Sequence, residues 1–260
     1  MKYLSPSYDQ MIQKSYGYDR QEQKNEKWGL MKTLYQNNYI GAKETQRKIP
    51  RIIHQIWLGP NPIPESYHRY MATWRDMHPE WEYHLWTDKD VKSVYIKRRD
   101  IFDRANNYGM KSDILRYELL KQYGGVYVDT DFECLKPFDD FLYLDFFTGI
   151  GYDRELQLYI GIMGSAPEQR VMQLTAGSLH TVYSDHKGSK IMNATGANHF
   201  TKCFLSSFNN DSKGVVAFPM EFFYPYPNNR RDSEDDPYQY VTPLTYAIHH
   251  WGISWIRKNK

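Results

Sequence analysis

SDILRYELLKQYGGVYVDTD, residues 112–131, is the stretch from which the fold can be read. Ile114, Leu115, Leu119 and Leu120 recur on one helical face, which predicts a helix from Ser112 to Tyr123. Gly124-Gly125 then ends it, because glycine takes up the left-handed backbone of a helix C-terminus at little steric cost. Val126 to Val128 follows at once as a short apolar strand. Asp129 and Asp131 come next, and on an extended backbone side chains two apart point to the same side. A helix, a tight turn, a buried strand and an acidic pair at its end suit an open α/β sheet. Such sheets bind ligands beyond the carboxyl ends of their strands.

The neighbouring segments fit that sheet. Arg51 to Leu58 is β-branched and apolar and stops at Gly59-Pro60, as a buried strand would. Three prolines between 60 and 64 enforce an extended loop, and Ser66 to Met77 has a helical apolar rhythm. Glu82 to Trp86 reads as a second strand, with Thr87 or Asp88 as the N-cap of a following helix. Beyond residue 140 we expect strands at Leu158–Met163 and Val215–Phe218, a helix over Glu168–Tyr183, and a charged surface loop from Asn228 to Pro237. Residues 1–48 hold nine basic and five acidic side chains. Trp28, Met31, Leu34 and Tyr35 recur there at helical spacing, so one or two helices should pack outside the sheet.

Composition narrows the function classes. Twenty-three tyrosines outnumber seventeen leucines, the aromatic share is 16%, and the net charge is only +2. That is too aromatic for a disordered chain and too balanced for nucleic-acid binding by charge alone. No run of about 18 apolar residues is present, so no transmembrane segment is expected in this chain, with peripheral membrane contact left open. Met1 to Gln10 has no apolar core of a signal peptide. Cys134 and Cys203 are too few for a disulfide framework and suit a reducing compartment, so we expect a cytoplasmic location.

Four groups of residues carry chemistry. The Asp129/Asp131 pair offers hard oxygen ligands of the kind that hold Mg²⁺ or Mn²⁺ together with substrate phosphates. Spacing alone proves little, since Asp88-Lys89-Asp90 has the same spacing and reads as an ordinary helix start. Asp113 and Arg116 are helical neighbours, and an antiparallel return of the chain would set them beside Asp129. There they suit sugar hydroxyls, or phosphate in the case of the arginine. Trp57, closing a buried strand, can stack on a planar base, although most such tryptophans are simply core. His249-His250-Trp251 lies far along the chain. Adjacent strand residues face opposite sides, so at most one of the two histidines reaches a metal.

Together these segments resemble the glycosyltransferases of family 32, which include fungal Golgi mannosyltransferases and bacterial polysaccharide enzymes and, more distantly, the large glucosylating toxins. The matching stretches are IPRIIHQIWLG at 49–59, SDILRYELLKQYGGVYVDTDFECLKP at 112–137, YIGIMGSAP at 159–167, ATGANHFT at 194–201 and HHWGISW at 249–255. The resemblance implies a GT-A-like nucleotide-sugar-binding fold over residues 49–260, with a mostly parallel central sheet flanked by helices. Residues 1–48 then form an N-terminal helical extension. It also implies a nucleotide-sugar donor (a UDP-sugar or GDP-mannose), a glycan or other hydroxyl acceptor, Mn²⁺ or Mg²⁺, and retention at the anomeric carbon.

Carried over by position, Trp57 would stack on the donor base, and Tyr127 would line the pocket. Asp113 and Arg116 would hold the donor sugar, Asp129 would contact ribose or sugar, and Asp131 would ligate the metal. We expect His250 as the second metal ligand, with His249 as the alternative, and Ser254 and Trp255 near the diphosphate. The chain departs from the family pattern at Ile253, where glycine is expected, and at Ala197, where proline is common. Two competing readings follow. One is a nucleotide-sugar or carbohydrate-binding protein that has lost catalysis. The other is a metal-dependent phosphatase or nucleotidyltransferase, which would not need Trp57 or the His-Trp segment.

Overall fold

In the computed structural model, residues 6–14, 25–42, 44–153, 155–179 and 188–252 are described. Helices α1 (Tyr8–Lys14) and α2 (Glu26–Tyr35) precede strand β1 (Ile52–Ile56), helix α3 (Glu65–Met77) and strand β2 (Glu82–Trp86). Next come α4 (Arg99–Arg104), α5 (Tyr108–Tyr123), β3 (Gly125–Val128) and β4 (Phe132–Cys134). The long strands β5 (Phe146–Asp153) and β6 (Glu155–Ser165) lead into α6 (Arg170–Gly177), α7 (Gly188–Ala194) and α8 (Ala197–Ser207). Strand β7 (Val215–Phe218), helix α9 (Met220–Phe223) and strand β8 (Ala247–His249) complete the order.

The main sheet has the order β2-β1-β3-β6-β5-β7, and β4 pairs with β8 in a separate two-stranded sheet. The β2–β1, β1–β3 and β5–β7 pairs are parallel, while β3–β6 and β6–β5 are antiparallel. This is the expected mostly parallel α/β sheet. Among the described residues no helix is long and apolar enough to cross a membrane. Both cysteines are free and buried.

Helix α5 begins one turn earlier than its apolar rhythm suggested. The Asn107 side chain caps it by accepting the Met110 amide at 3.2 Å, so Ser112 lies inside the helix. Asp113 and Arg116 therefore sit on its inner turns and not at its start. The C-terminus falls at Gly124 (φ 65°), and Gly125 (φ 91°) continues the left-handed turn. A Cβ on Gly125 would lie 2.6 Å from the Ile52 carbonyl oxygen, so the reversal needs glycine for space as well as for backbone angle. The helix predicted after Thr87 is only a short 3-10 turn, Asp90–Ser93. The Asp90 carboxylate accepts both the Thr87 amide and hydroxyl, so the Asp88-Lys89-Asp90 triplet is a structural turn. The helix expected over Glu168–Tyr183 is shorter, running from Arg170 to Gly177 with Ser178 as its C-cap, and residues 180–187 lie outside the described set.

Aromatic rings fill the core. Phe141 packs on Phe218 at 4.9 Å and on Phe147 at 5.3 Å, and Phe138 lies against Phe223 at 5.5 Å. Trp28, Met31, Leu34 and Tyr35 of α2 are buried in this same core, as are Tyr8, Met11 and Ile12 of α1. Asn38, just beyond α2, donates to the Ser212 and Val215 carbonyls and accepts the Gly214 amide. It thereby satisfies backbone groups at the start of β7, an edge strand.

His54 ties the Gly-Gly turn to the sheet. Its Nε2 lies 2.9 Å from the Gly124 carbonyl, and its Nδ1 accepts the Trp86 indole N–H at 3.1 Å. An indole only donates and a carbonyl only accepts, so the ring is the neutral Nε2–H tautomer. Burial pushes its pKa down to about 4, against the pull of the Gly124 carbonyl and with a smaller push from His84. The folded pKa lies below the ordinary 6.5, so stability is undiminished above pH 6.5. It falls as the pH drops toward 4, because only the unfolded imidazole takes up the proton. At about 1.4 kcal/mol per unit the loss is about 3 kcal/mol. Denaturant midpoints between pH 7 and pH 4 should therefore fall less steeply for His54→Gln than for the native chain, and equal slopes would refute the neutral assignment.

Candidate functional site

The chain leaves β1 toward β2 on one side and returns to β3 on the other, so the crevice for a ligand opens beyond the carboxyl ends of β1 and β3. Trp57 follows β1 and Asp129 follows β3, and topology alone puts both there. The crevice widens into a cleft of about 560 Å³, lined among others by Trp57, Asp113, Arg116, Tyr127, Asp129, Asp131 and His249. Trp57 is fixed in the wall by its indole N–H, which donates to the Asn61 carbonyl at 2.8 Å, and it meets Tyr67 edge-on.

Arg116 occupies the floor. Its side chain is only 6% exposed, with Nη2 3.0 Å from Asp113 Oδ1 and Nη1 3.2 Å from Asp129 Oδ1. Nη1 also donates to the Ile160 carbonyl at 2.8 Å, and the guanidinium lies over the Tyr127 ring at 4.4 Å. The Tyr127 hydroxyl donates to Asp129 Oδ1 at 2.5 Å, and the Thr195 hydroxyl donates to Asp113 Oδ2 at 2.8 Å.

Burial pushes Asp113 up to about 6, against Arg116 and the Thr195 hydroxyl. Burial also raises Asp129, against Arg116 and with Asp131 adding to the rise. The Asp129 side chain keeps 29% of its surface open to the cleft, where Asp113 keeps 9%. For Arg116, burial alone would favour loss of the proton. Asp129, Tyr127 and Asp113 outweigh that and hold the guanidinium above its ordinary value.

The β4–β8 pairing supplies the third side. Phe132 pairs with His249 in register, and their rings stack at 4.4 Å. His249 Nε2 lies 3.2 Å from Asp131 Oδ1, and the Gly252 amide donates to Asp131 Oδ2 at 2.7 Å. One ligand atom each from Asp129, Asp131 and His249 fall within 4.8 Å of one another. Two carboxylate oxygens and an imidazole nitrogen are a donor set compatible with a divalent cation, and they leave positions open for phosphate oxygens. His249 Nδ1 is buried without a hydrogen-bond partner, whereas a ligating histidine usually donates from its second nitrogen. The ring is held in place by packing, between Phe132 and Trp251, whose ring lies 4.1 Å away.

His250 is not in this group, contrary to the expectation from sequence. Strand alternation turns it to the other face, where Nε2 lies 3.0 Å from Glu133 Oε2 and the ring stacks on Tyr70 at 4.0 Å. The register of β8 against β4 puts His249, and not His250, beside the acidic pair. Ser254 and Trp255, together with Ile253, lie outside the described residues. Ala197 opens α8 in the cleft wall.

Several contributors carried no assigned role in the sequence. Thr195 lies within ATGANHFT and Gly161 within YIGIMGSAP. A Cβ on Gly161 would come 2.9 Å from Asp129 Oδ2, so glycine there leaves room for the carboxylate. Trp251, at φ 55°, takes a left-handed backbone rare for such a bulky residue. Its indole donates to the Tyr226 carbonyl at 2.7 Å. Asn228 and Arg231, read only as parts of a surface loop, line the cleft.

A family model described as the glycosyltransferase sugar-binding region containing a DXD motif matches residues 64–147. An uncharacterized glycosyltransferase of Acanthamoeba polyphaga mimivirus is 27% identical over 212 residues, covering 76% of this chain and 83% of that protein. Inositol phosphoceramide mannosyltransferase 1 of Schizosaccharomyces pombe is 39% identical over 108 residues, which is 39% of this chain and 34% of that protein. The chain thus spans about a third of the length of that fungal relative. The solved PaToxG glycosyltransferase shares the fold, with a TM-score of 0.52 at 21% identity over 65% of this chain and 72% of that one. The resemblance to DXD-containing glycosyltransferases is borne out, and the fold is of the GT-A type.

Removing one partner from a buried ion pair costs about 3–5 kcal/mol, because the charge left behind stays desolvated. Arg116→Met strands two carboxylates and should lower stability by about that amount in denaturant titration. A loss below about 1 kcal/mol would show that Asp113 and Asp129 do not depend on this cation.

Proposed function

We propose that this chain, which carries the sugar-binding region of a DXD glycosyltransferase, moves a hexose from a nucleotide-sugar to a hydroxyl acceptor in a metal-dependent, retaining reaction. The observation that carries this reading is the convergence of Asp129, Asp131 and His249 within 4.8 Å of one another, beside the buried Asp113–Arg116 pair. A divalent cation held by that trio would stabilise the charge developing on the leaving diphosphate.

The protein's own groups bind and orient. In this reading Trp57 stacks on the donor base from the wall beyond β1, and Tyr127 backs the sugar site through its bond to Asp129. Asp113 is fixed by Arg116 and Thr195 and presents a carboxylate to sugar hydroxyls. The Gly252 amide holds Asp131 in one orientation. No side chain in the cleft is assigned as a covalent nucleophile, so the acceptor hydroxyl attacks from the face the diphosphate leaves, and that group takes the proton. The fungal relative is named as a mannosyltransferase, which puts GDP-mannose first among donors, ahead of UDP-glucose, UDP-galactose and UDP-N-acetylglucosamine.

The test is release of free nucleoside diphosphate from that donor panel, with Mn²⁺ or Mg²⁺ and then with a chelator. Asp131→Asn should lower turnover by at least about 100-fold, in the range of losing one well-placed electrostatic group. His249→Ala should weaken the metal dependence more than His250→Ala. Full turnover in Asp131→Asn, or in excess chelator, would sink the metal-dependent reading, and a covalent glycosyl-enzyme would sink the front-face one.

A further inference from the structure

Among the described residues that line the cleft, the arginines are Arg116 and Arg231. The two differ in what they can still bind. Arg116 is committed to Asp113, Asp129 and the Ile160 carbonyl, with its plane on Tyr127. Arg231 has Asp232 as its carboxylate neighbour at 3.3 Å, and that side chain is 90% exposed. A pair so open to water is weak and yields to a better anion.

The turn that carries Arg231 is braced. The Arg230 and Arg231 amides donate to the Pro227 and Asn228 carbonyls at 2.9 and 3.2 Å. The Tyr226 hydroxyl donates to the Arg230 carbonyl at 2.6 Å, and Arg231 Nη1 donates to Asn228 Oδ1 at 3.0 Å. Tyr226 in turn accepts the Trp251 indole, whose ring packs on His249. The turn is therefore fastened to the segment that supplies His249. Charge in the cleft points the same way. Asp113, Asp129 and Asp131 face one committed guanidinium, so an uncommitted arginine in the wall adds positive charge where a phosphate would enter.

We infer that Arg231, steadied by Asn228, is a phosphate-binding side chain of this cleft. Its planar guanidinium matches two phosphate oxygens at once, a geometry lysine cannot reproduce. The phosphate comes either from the donor's diphosphate or from a phosphoryl group on the acceptor. The choice between these sources rests on the transferase reading above, whereas the binding of phosphate does not.

The test uses the full chain with Mg²⁺ and the variants Arg231→Gln, Arg231→Lys and Arg230→Gln. UDP, GDP and myo-inositol 1-phosphate are titrated by calorimetry, with uridine and guanosine as phosphate-free controls. Losing charge-assisted bonds to phosphate should weaken binding about 10- to 100-fold in Arg231→Gln. Arg231→Lys should recover only part of the loss, while nucleoside binding and Arg230→Gln stay within about twofold of the native protein. Weaker binding of UDP or GDP identifies the donor diphosphate, and weaker binding of inositol phosphate alone identifies the acceptor. Unchanged binding of every phosphate probe overturns the inference. So does an equal loss in Arg230→Gln, or a native protein that binds none of them. Failure of the transferase reading is seen separately, as absent turnover in a native protein whose phosphate binding still depends on Arg231.

Discussion

The guanidinium of Arg116 is the interaction on which the rest of the site depends. It rises from the middle of α5 and closes on Asp129 at the end of β3, so one side chain joins two elements separated by the Gly-Gly turn. Moving an arginine and two carboxylates out of water is costly unless their lone pairs and protons are satisfied. Here Thr195, Tyr127 and the Ile160 carbonyl complete the set, drawing in β3, β6 and the approach to α8. A buried polar network of this kind specifies one arrangement, since each displaced member leaves a desolvated partner. The carboxylates are thus positioned by contacts the fold already makes.

The second constraint is the route of the chain. Asp129 and Asp131 stand between β3, in the main sheet, and β4, in the small one. Pairing of β4 with β8 brings His249 across from a distant part of the sequence. Gly252 then donates to Asp131 in a place where a Cβ would meet the Tyr67 hydroxyl at 1.6 Å. The metal-ligand candidates are therefore assembled at the seam between two sheets, while Trp57 belongs to the strand end next door.

What could be read in advance follows from how local each signal is. The span 112–131 encodes its helix, turn and strand in adjacent residues, and Glu82–Trp86 and Val215–Phe218 coincide with the observed strands. The start of α5 was misplaced because its cap is an asparagine five residues before Ser112, outside the apolar rhythm. Alternation says that His249 and His250 face opposite sides but not which of them faces inward. That is a matter of register across the chain. Arg231 went unassigned because a charged, proline-containing stretch looks the same whether it faces solvent or a cleft. The tyrosine excess now divides more clearly. Tyr8, Tyr35, Tyr224 and Tyr226 are buried packing, while Tyr238 stays half exposed and donates to Glu133. Tyr3, Tyr16 and Tyr18 lie outside the described residues.

The contact between Asp131 and His249 closes a loop of 118 residues. A contact of that span carries a loop-closure cost that the ordered sheet between the two residues has already met. A ligand that bridged the acidic pair and His249 would bind only the form in which β8 is paired with β4, and so would act as a clasp across the seam. Filling such a site would then protect β8 from local opening.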